Sequence, residues 1–333
     1  MGIISVVMNM CTAISFMAKN HYFGRNLDLY YNYNEQVTIT PRNFQLDFRM
    51  ADCRKSHYAF IGMATVENGF PLYYEAMNEK GLAIAALNFP KNAHYYAPKK
   101  DKINIAPFEL IPWVLGNFSS LDEVQQEVQR LNLVNINFSK ELPLSPLHWM
   151  ISDKTGSLVL EPMADGLKVF QNPIGVLTNN PPFDTQMLLL QQYSGLSPKN
   201  PEKFFIPNVK VNPYSLGMGA IGLPGDMSSP SRFVRAAFVK QNSVCETDEV
   251  TEVGQFFHIL SSVEQQKGVT EVEEGVYEYT LYSSCLNTDT GVYYYTTYQN
   301  RSITAVDMKK EKLNQSSLIT YALEGKEKIN YQN

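Results

Sequence analysis

The sequence predicts an α+β fold with antiparallel sheets and helices packed on their outer faces. Three observations carry this. β-prone runs come in pairs joined by short polar turns, helical patterns sit between them in blocks, and no regular βαβ alternation runs along the chain. Cys11 to Phe16 and His21 to Leu29 read as a hairpin turning at Lys19-Asn20. Strand-like runs follow at Gln36 to Thr40, His57 to Val66, Leu72 to Glu75 and Leu82 to Asn88, the last two joined through Asn78-Glu79-Lys80-Gly81. Pro107 to Asn117 is a helix candidate. Ser120 with Glu123 three residues on reads as a capping box opening a helix through Leu131, with Val124 and Val128 on one face. Three strands fit between His148 and Gln171, with turns at residues 153–156 and 164–166. Thr185 to Tyr193, Arg232 to Gln241 and Val250 to Gln265 are further helices, and Tyr277 to Met308 is a meander. Residues 194–215, rich in Pro, Asn and Lys, read as a long surface loop within one domain, since no repeat or linker divides the chain.

Composition narrows the function. A chain of 333 residues with 44% hydrophobic residues builds a large core and is not disordered. A net charge of -5, with no basic cluster longer than Lys99-Lys100 or Lys309-Lys310, excludes a nucleic-acid or anionic-membrane partner and leaves a small-molecule substrate. The four cysteines are far apart, with no CxxC pair and no neighbouring His, so neither metal nor cofactor is expected. The first ten residues lack a basic start and are too short for a secretory signal, and no later run reaches the about eighteen apolar residues of a membrane span. A reduced, cytoplasmic setting is the expectation.

The first hairpin holds candidate chemistry. A two-residue loop at Lys19-Asn20 sets Cys11 directly opposite Asp28, with Cβ atoms about 5 Å apart. Arg25 then falls on the other face unless Gly24 marks a bulge. A guanidinium beside a thiol favours the thiolate, and a free α-amino group on Cys11 would be a base for the thiol proton, held by Asp28. Local spacing leaves open a plainer reading, in which Cys11 is a buried strand cysteine and Arg25 and Asp28 form a surface ion pair.

Longer blocks go further. Met10-Cys11-Thr12-Ala13, HYFGRNLDLYY (21–31), VTITPRNF (37–44), NEKGLAIAALNFP (78–90), LPLSPLHWMISD (142–153), GVLTNNPPFD (175–184), IGLPGDMSSPSRFVRAAF (221–238) and YTLYSSC (279–285) follow one another in an order that resembles the choloylglycine hydrolase family, which spans conjugated bile salt hydrolases and penicillin V acylases among the N-terminal nucleophile hydrolases. The resemblance implies a four-layer αββα sandwich in a homotetramer, and hydrolysis of the amide of glycine- or taurine-conjugated bile salts. It makes Cys11 the nucleophile, Asp28 the partner of its α-amino group and Arg25 a neighbour of the thiol. Asn179 matches the side-chain donor of the oxyanion hole, Asn88 its backbone donor, and Arg232 a nearby polar-network arginine. Penicillin V or a long-chain N-acyl homoserine lactone is the alternative substrate, disfavoured because the acylase branch often carries Tyr where this chain has Asn88. A steroid-binding protein without catalysis is a more distant one.

The resemblance also implies that Cys11 is the first residue of the working protein. Residues 1–10 are then a leader or a misassigned start, removed to leave a single domain over 11–333. A steroid substrate needs an apolar groove. Leu27, Met63, Thr65 and Val66 from the early segments, with Leu133, Ile136, Phe138 and Leu142 after the capped helix, are the candidates to line it.

Overall fold

A computed structural model describes residues 10–203, 205–210 and 212–333; of the expected leader, only Met10 falls within them. The six-stranded antiparallel sheet has the spatial order β12 (Val176–Leu177), β1 (Cys11–Met17), β2 (His21–Leu29), β15 (Tyr279–Asn287), β16 (Val292–Thr297), β17 (Asn300–Asp307). The eight-stranded one runs β11 (Gly166–Gln171), β10 (Gly156–Met163), β9 (Leu147–Asp153), β6 (Ala83–Asn88), β5 (Phe70–Asn78), β4 (Phe60–Glu67), β3 (Gln36–Thr40), β18 (Ile319–Ala322). Two minor pairs complete the strands: β7 (Ile103–Ile105) parallel to β8 (Leu131–Leu133), and β13 (Glu271–Glu273) with β14 (Val276–Tyr277).

The two sheets stack face to face, and alternation within each strand sorts its side chains between layers. In β6, Ala83, Ala85 and Leu87 enter the core between the sheets, whereas Ile84 and Ala86 enter a second core beneath α1 (Leu110–Asn117) and α2 (Leu121–Glu127). On the far side, α4 (Ser229–Gln241) and α5 (Glu249–Ser261) pack on β1, β2 and β15, with α3 (Phe183–Leu190) beside α4. The result is the four-layer αββα sandwich. Strands covered on both faces are buried almost throughout; β6 is nearly all apolar, whereas β2 carries His21, Arg25, Asn26 and Asp28 into the interior.

Ser120 caps α2 as expected, accepting from Glu123 N, but the helix ends at Glu127 and passes through one 3-10 turn into β8. Pairing of Leu131–Leu133 with Ile103–Ile105 takes over from the helical pattern there.

One expectation is corrected by the register of the first hairpin. Cys11 pairs with Leu27 and Met17 with His21, so the loop has three residues, Ala18 to Asn20, closed by Ala18 N–H donating to Asn20 O at 3.0 Å. Cys11 does not face Asp28. A slip of one residue reverses the face of every side chain on the strand. Arg25, opposite Ala13, therefore shares the inter-sheet face with Cys11, and Asp28 turns toward the helices. No bulge is needed at Gly24, where β1 and β2 pair without interruption. Its role is clearance, because a Cβ there would stand 2.0 Å from the Ser284 carbonyl oxygen of β15.

Candidate active site

Cys11 opens β1, buried, and its backbone is held by two side chains, one at the N–H and one at the carbonyl. Its N–H donates to Asn179 Oδ1 at 2.8 Å, just beyond the end of β12. Arg232 of α4, fully buried, donates from Nη1 to Cys11 O (2.5 Å) and Thr12 Oγ1 (2.6 Å), and from Nη2 to Asn179 Oδ1 (2.8 Å). Asn179 Nδ2 donates to Asn88 O at 2.8 Å, at the end of β6. An amide NH2 has two hydrogens, so a second one remains for a ligand. Cys11, Asn88, Asn179 and Arg232 thus form one hydrogen-bonded unit drawn from both sheets and a helix.

Asp28 lies on the helix side of the same strand end. Oδ1 accepts from Thr280 Oγ1 at 2.6 Å, whereas Oδ2 is buried with no partner among the described residues. Burial lifts this carboxyl to about 6, against the pull of Arg232 and Thr280. Met10 N–H donates to Glu278, whose carboxyl is pushed up to about 8 by burial and by the nearby Asp28 charge. Two acids therefore lie at this strand end, Glu278 on the N–H of Met10 and Asp28 with an empty acceptor. An ammonium group suits such a place, since charge-assisted hydrogen bonds satisfy both.

On the inter-sheet face, Arg25 is fully buried. Nη1 donates to Ala86 O and Tyr74 O, Nε lies 3.9 Å from Glu75 Oε2, and Nη2 has no partner among the described residues. Glu75 reaches across from β5 to accept from Tyr282 Oη (2.7 Å) and Tyr293 Oη (2.6 Å) of the opposite sheet. The Cys11 thiol is pushed up by burial, opposed by the Arg25 charge. Sequence reading missed Glu75, Glu278 and Thr280. The available signal was an acid within an apolar strand, at Glu75, but which group it serves depends on how the sheets stack.

The model of the linear amide C–N hydrolases, choloylglycine hydrolase family, matches residues 11–321. The chain belongs to this family. Among choloylglycine hydrolase relatives, a bile salt hydrolase/transferase from Lactiplantibacillus plantarum is 56% identical over 94% of this chain and 97% of that protein. A conjugated bile acid hydrolase from Lactobacillus gasseri is 39% identical over 94% of this chain and the whole of its own length, 100%. The crystal structure of a mutant conjugated bile acid hydrolase from Clostridium perfringens superposes with a TM-score of 0.90 at 38% identity, covering 97% of this chain and 100% of that one. Penicillin V acylase from Agrobacterium tumefaciens, at 18% identity, shares the fold with a TM-score of 0.73 over 95% of this chain and 92% of its own.

The eight groove candidates of this choloylglycine hydrolase chain occupy different layers. Leu27 and Met63 are buried in the inter-sheet core with Cys11, and Thr65 is held between Tyr33 O (3.2 Å) and Tyr74 Oη (3.0 Å). Leu133 packs in the other core, between the eight-stranded sheet and α1 and α2. Val66, Ile136, Phe138 and Leu142 are half-buried. The ring of Phe138 sits 5.2 Å from that of Phe108 and under the Arg49 guanidinium. Among the described residues, no group of three or more His, Cys, Asp or Glu side chains is arranged to hold a metal ion, and no helix is long and apolar enough to cross a membrane.

Proposed function

We propose that this chain hydrolyses the amide bond of glycine- and taurine-conjugated bile salts, with Cys11 as an N-terminal nucleophile. The near full-length identity of 56% with a bile salt hydrolase/transferase carries the reading. Removal of residues 1–10 would turn the Cys11 N–H into an α-amino group beside Asn179 Oδ1, at a strand end where Asp28 keeps an unpartnered oxygen. A family match that begins at Cys11 supports that boundary.

The amine takes the thiol proton, and the thiolate, beside Arg25, adds to the amide carbonyl carbon. The resulting oxyanion meets the second Asn179 Nδ2 hydrogen and the Asn88 backbone N–H, each worth a few kcal/mol, about 3 by analogy with other oxyanion holes. Collapse breaks the C–N bond while the ammonium returns its proton to the departing nitrogen, releasing glycine or taurine. Water then adds to the thioester, gives a proton to the amine, and restores the thiol as the free bile acid leaves. Leu27, Thr65, Val66, Ile136, Phe138 and Leu142 are assigned to the steroid side of the site, with Met63 and Leu133 behind them. Assembly as a homotetramer is part of the reading, supported by exposed Phe205, Tyr214, Leu216 and Ile221 in the segment after α3. So is a reduced cytoplasmic setting, supported by four unpaired cysteines.

The test is intact mass of the active protein together with ninhydrin detection of amino acid released from glycocholate, taurocholate and, as a control, penicillin V. A species starting at Cys11 that cleaves the bile salts, and a Cys11→Ala variant that releases nothing, are expected. Full turnover by a species starting at Met1 would sink the N-terminal nucleophile.

A further inference from the structure

We infer that His148 is a positioning residue for the oxyanion hole, holding in register the two chain segments that carry its donors. The inference rests on the roles given above to Asn88 and Asn179. His148 stands in β9, fully buried, with its ring flat against that of Phe89: centroids 4.3 Å apart, planes 3° from parallel. Nε2 lies 2.9 Å from Thr178 O, which only accepts, so Nε2 carries the hydrogen. Nδ1 lies 3.0 Å from Glu161 Oε1. Glu161, also fully buried, accepts in turn from Phe183 N at the start of α3, at 3.0 and 3.2 Å to its two oxygens.

Phe89 follows Asn88 and Thr178 precedes Asn179. One imidazole thus touches the neighbour of each donor while touching neither donor itself. The same two segments are stitched on their other side by Asn179 Nδ2 to Asn88 O (2.8 Å), Asn92 Nδ2 to Asn180 Oδ1 (2.9 Å) and Asn180 Nδ2 to Pro90 O (2.6 Å). A phenyl ring would fill the space and stack on Phe89 equally well. What it would lack is the pair of polar contacts, which fix the direction of the ring and of Thr178 O. Misplacing a catalytic donor by about 1 Å costs on the order of a hundredfold in rate. Because the oxyanion exists only after attack, such an error lowers kcat and spares KM. The hydrogen bonds of His148 and Glu161 run to Thr178 and Phe183, not to Cys11, which Asn179 holds by its N–H alone, so the thiol is expected to keep its reactivity.

The experiment compares His148→Phe, Asn179→Ala and the double variant in the processed enzyme, by kcat and KM for glycocholate and by the pH profile of thiol alkylation with iodoacetamide. His148→Phe is expected to lose roughly ten- to hundredfold in kcat, with KM within about twofold and an unchanged alkylation profile. The double variant should lose less than the product of the two single losses, since one of the two donors that His148 positions is already gone. Glu161→Gln, whose amide can donate to Nδ1, should lose less than His148→Phe. Should the phenyl variant not fold, His148→Gln, which keeps a donor toward Thr178 O, is scored by the same split. A wild-type kcat in His148→Phe, a parallel fall in alkylation, or multiplied losses in the double variant would overturn the inference alone. If Asn179→Ala turned over at the wild-type rate, the oxyanion reading would fail and carry the inference with it.

Discussion

Asp28 is the side chain whose surroundings say most about what is missing. Its buried, unpartnered oxygen is a cost unless something positive arrives, and the group's sign against pH makes this measurable. In a chain that keeps Met10, burial holds the carboxyl at about 6 rather than 3.8, so ionisation favours the unfolded state. The folded chain is then destabilised above pH 6, by up to about 3 kcal/mol, and the penalty vanishes below about pH 4. Asp28→Asn in that chain should raise the melting temperature at pH 7 and leave it unchanged at pH 4. In the processed chain, where an ammonium neighbours the carboxylate, the same substitution should lower both stability and turnover at pH 7. Melting curves of the two forms at both pH values decide. Cys11, Arg25 and Asp28 were legible in the sequence because they fall in one short block. Glu75 was not, since its meaning depends on Tyr282 and Tyr293 from two distant strands, β15 and β16, crossing the sandwich to meet it.

Among the elements, the contact between β2 and β15 leaves no room for a side chain at Gly24. Gly24→Ala places a methyl group 2.0 Å from a backbone oxygen, and neither strand can retreat because each is paired on both sides. A loss of several kcal/mol, about 4 or more, is expected in the urea midpoint. Gly254 in α5 is the matched control: a Cβ there meets nothing within 4 Å, so Gly254→Ala should gain up to about 1 kcal/mol. The major strands were readable because paired apolar runs and polar turns mark them. The hairpin register was misread because Ala18 continues the β-prone pattern of β1 while its N–H closes the loop. The three-residue strands β7 and β8 escaped notice, being parallel and too short to show a period.

At the scale of the whole molecule, the site is a convergence of remote segments, with Cys11 and Arg232 in contact across 221 positions. No local spacing could have joined them. The blocks of the family resemblance could, because they report a whole arrangement at once. The exposed apolar residues after α3 make a further demand on the molecule. Light scattering should find a mass near four chains, and Phe205→Ser with Leu216→Ser should reduce it toward one chain while glycocholate turnover per chain persists in part. The three-residue turn between β1 and β2 has a numerical corollary for the chain as a whole. While that turn is kept, the hairpin can lengthen only by one residue on each strand, so the interval between the cysteine and its arginine changes in twos. Chains that share this chemistry should carry the pair at even separations, and an odd separation should mark either a different turn or an arginine that looks away from the thiol.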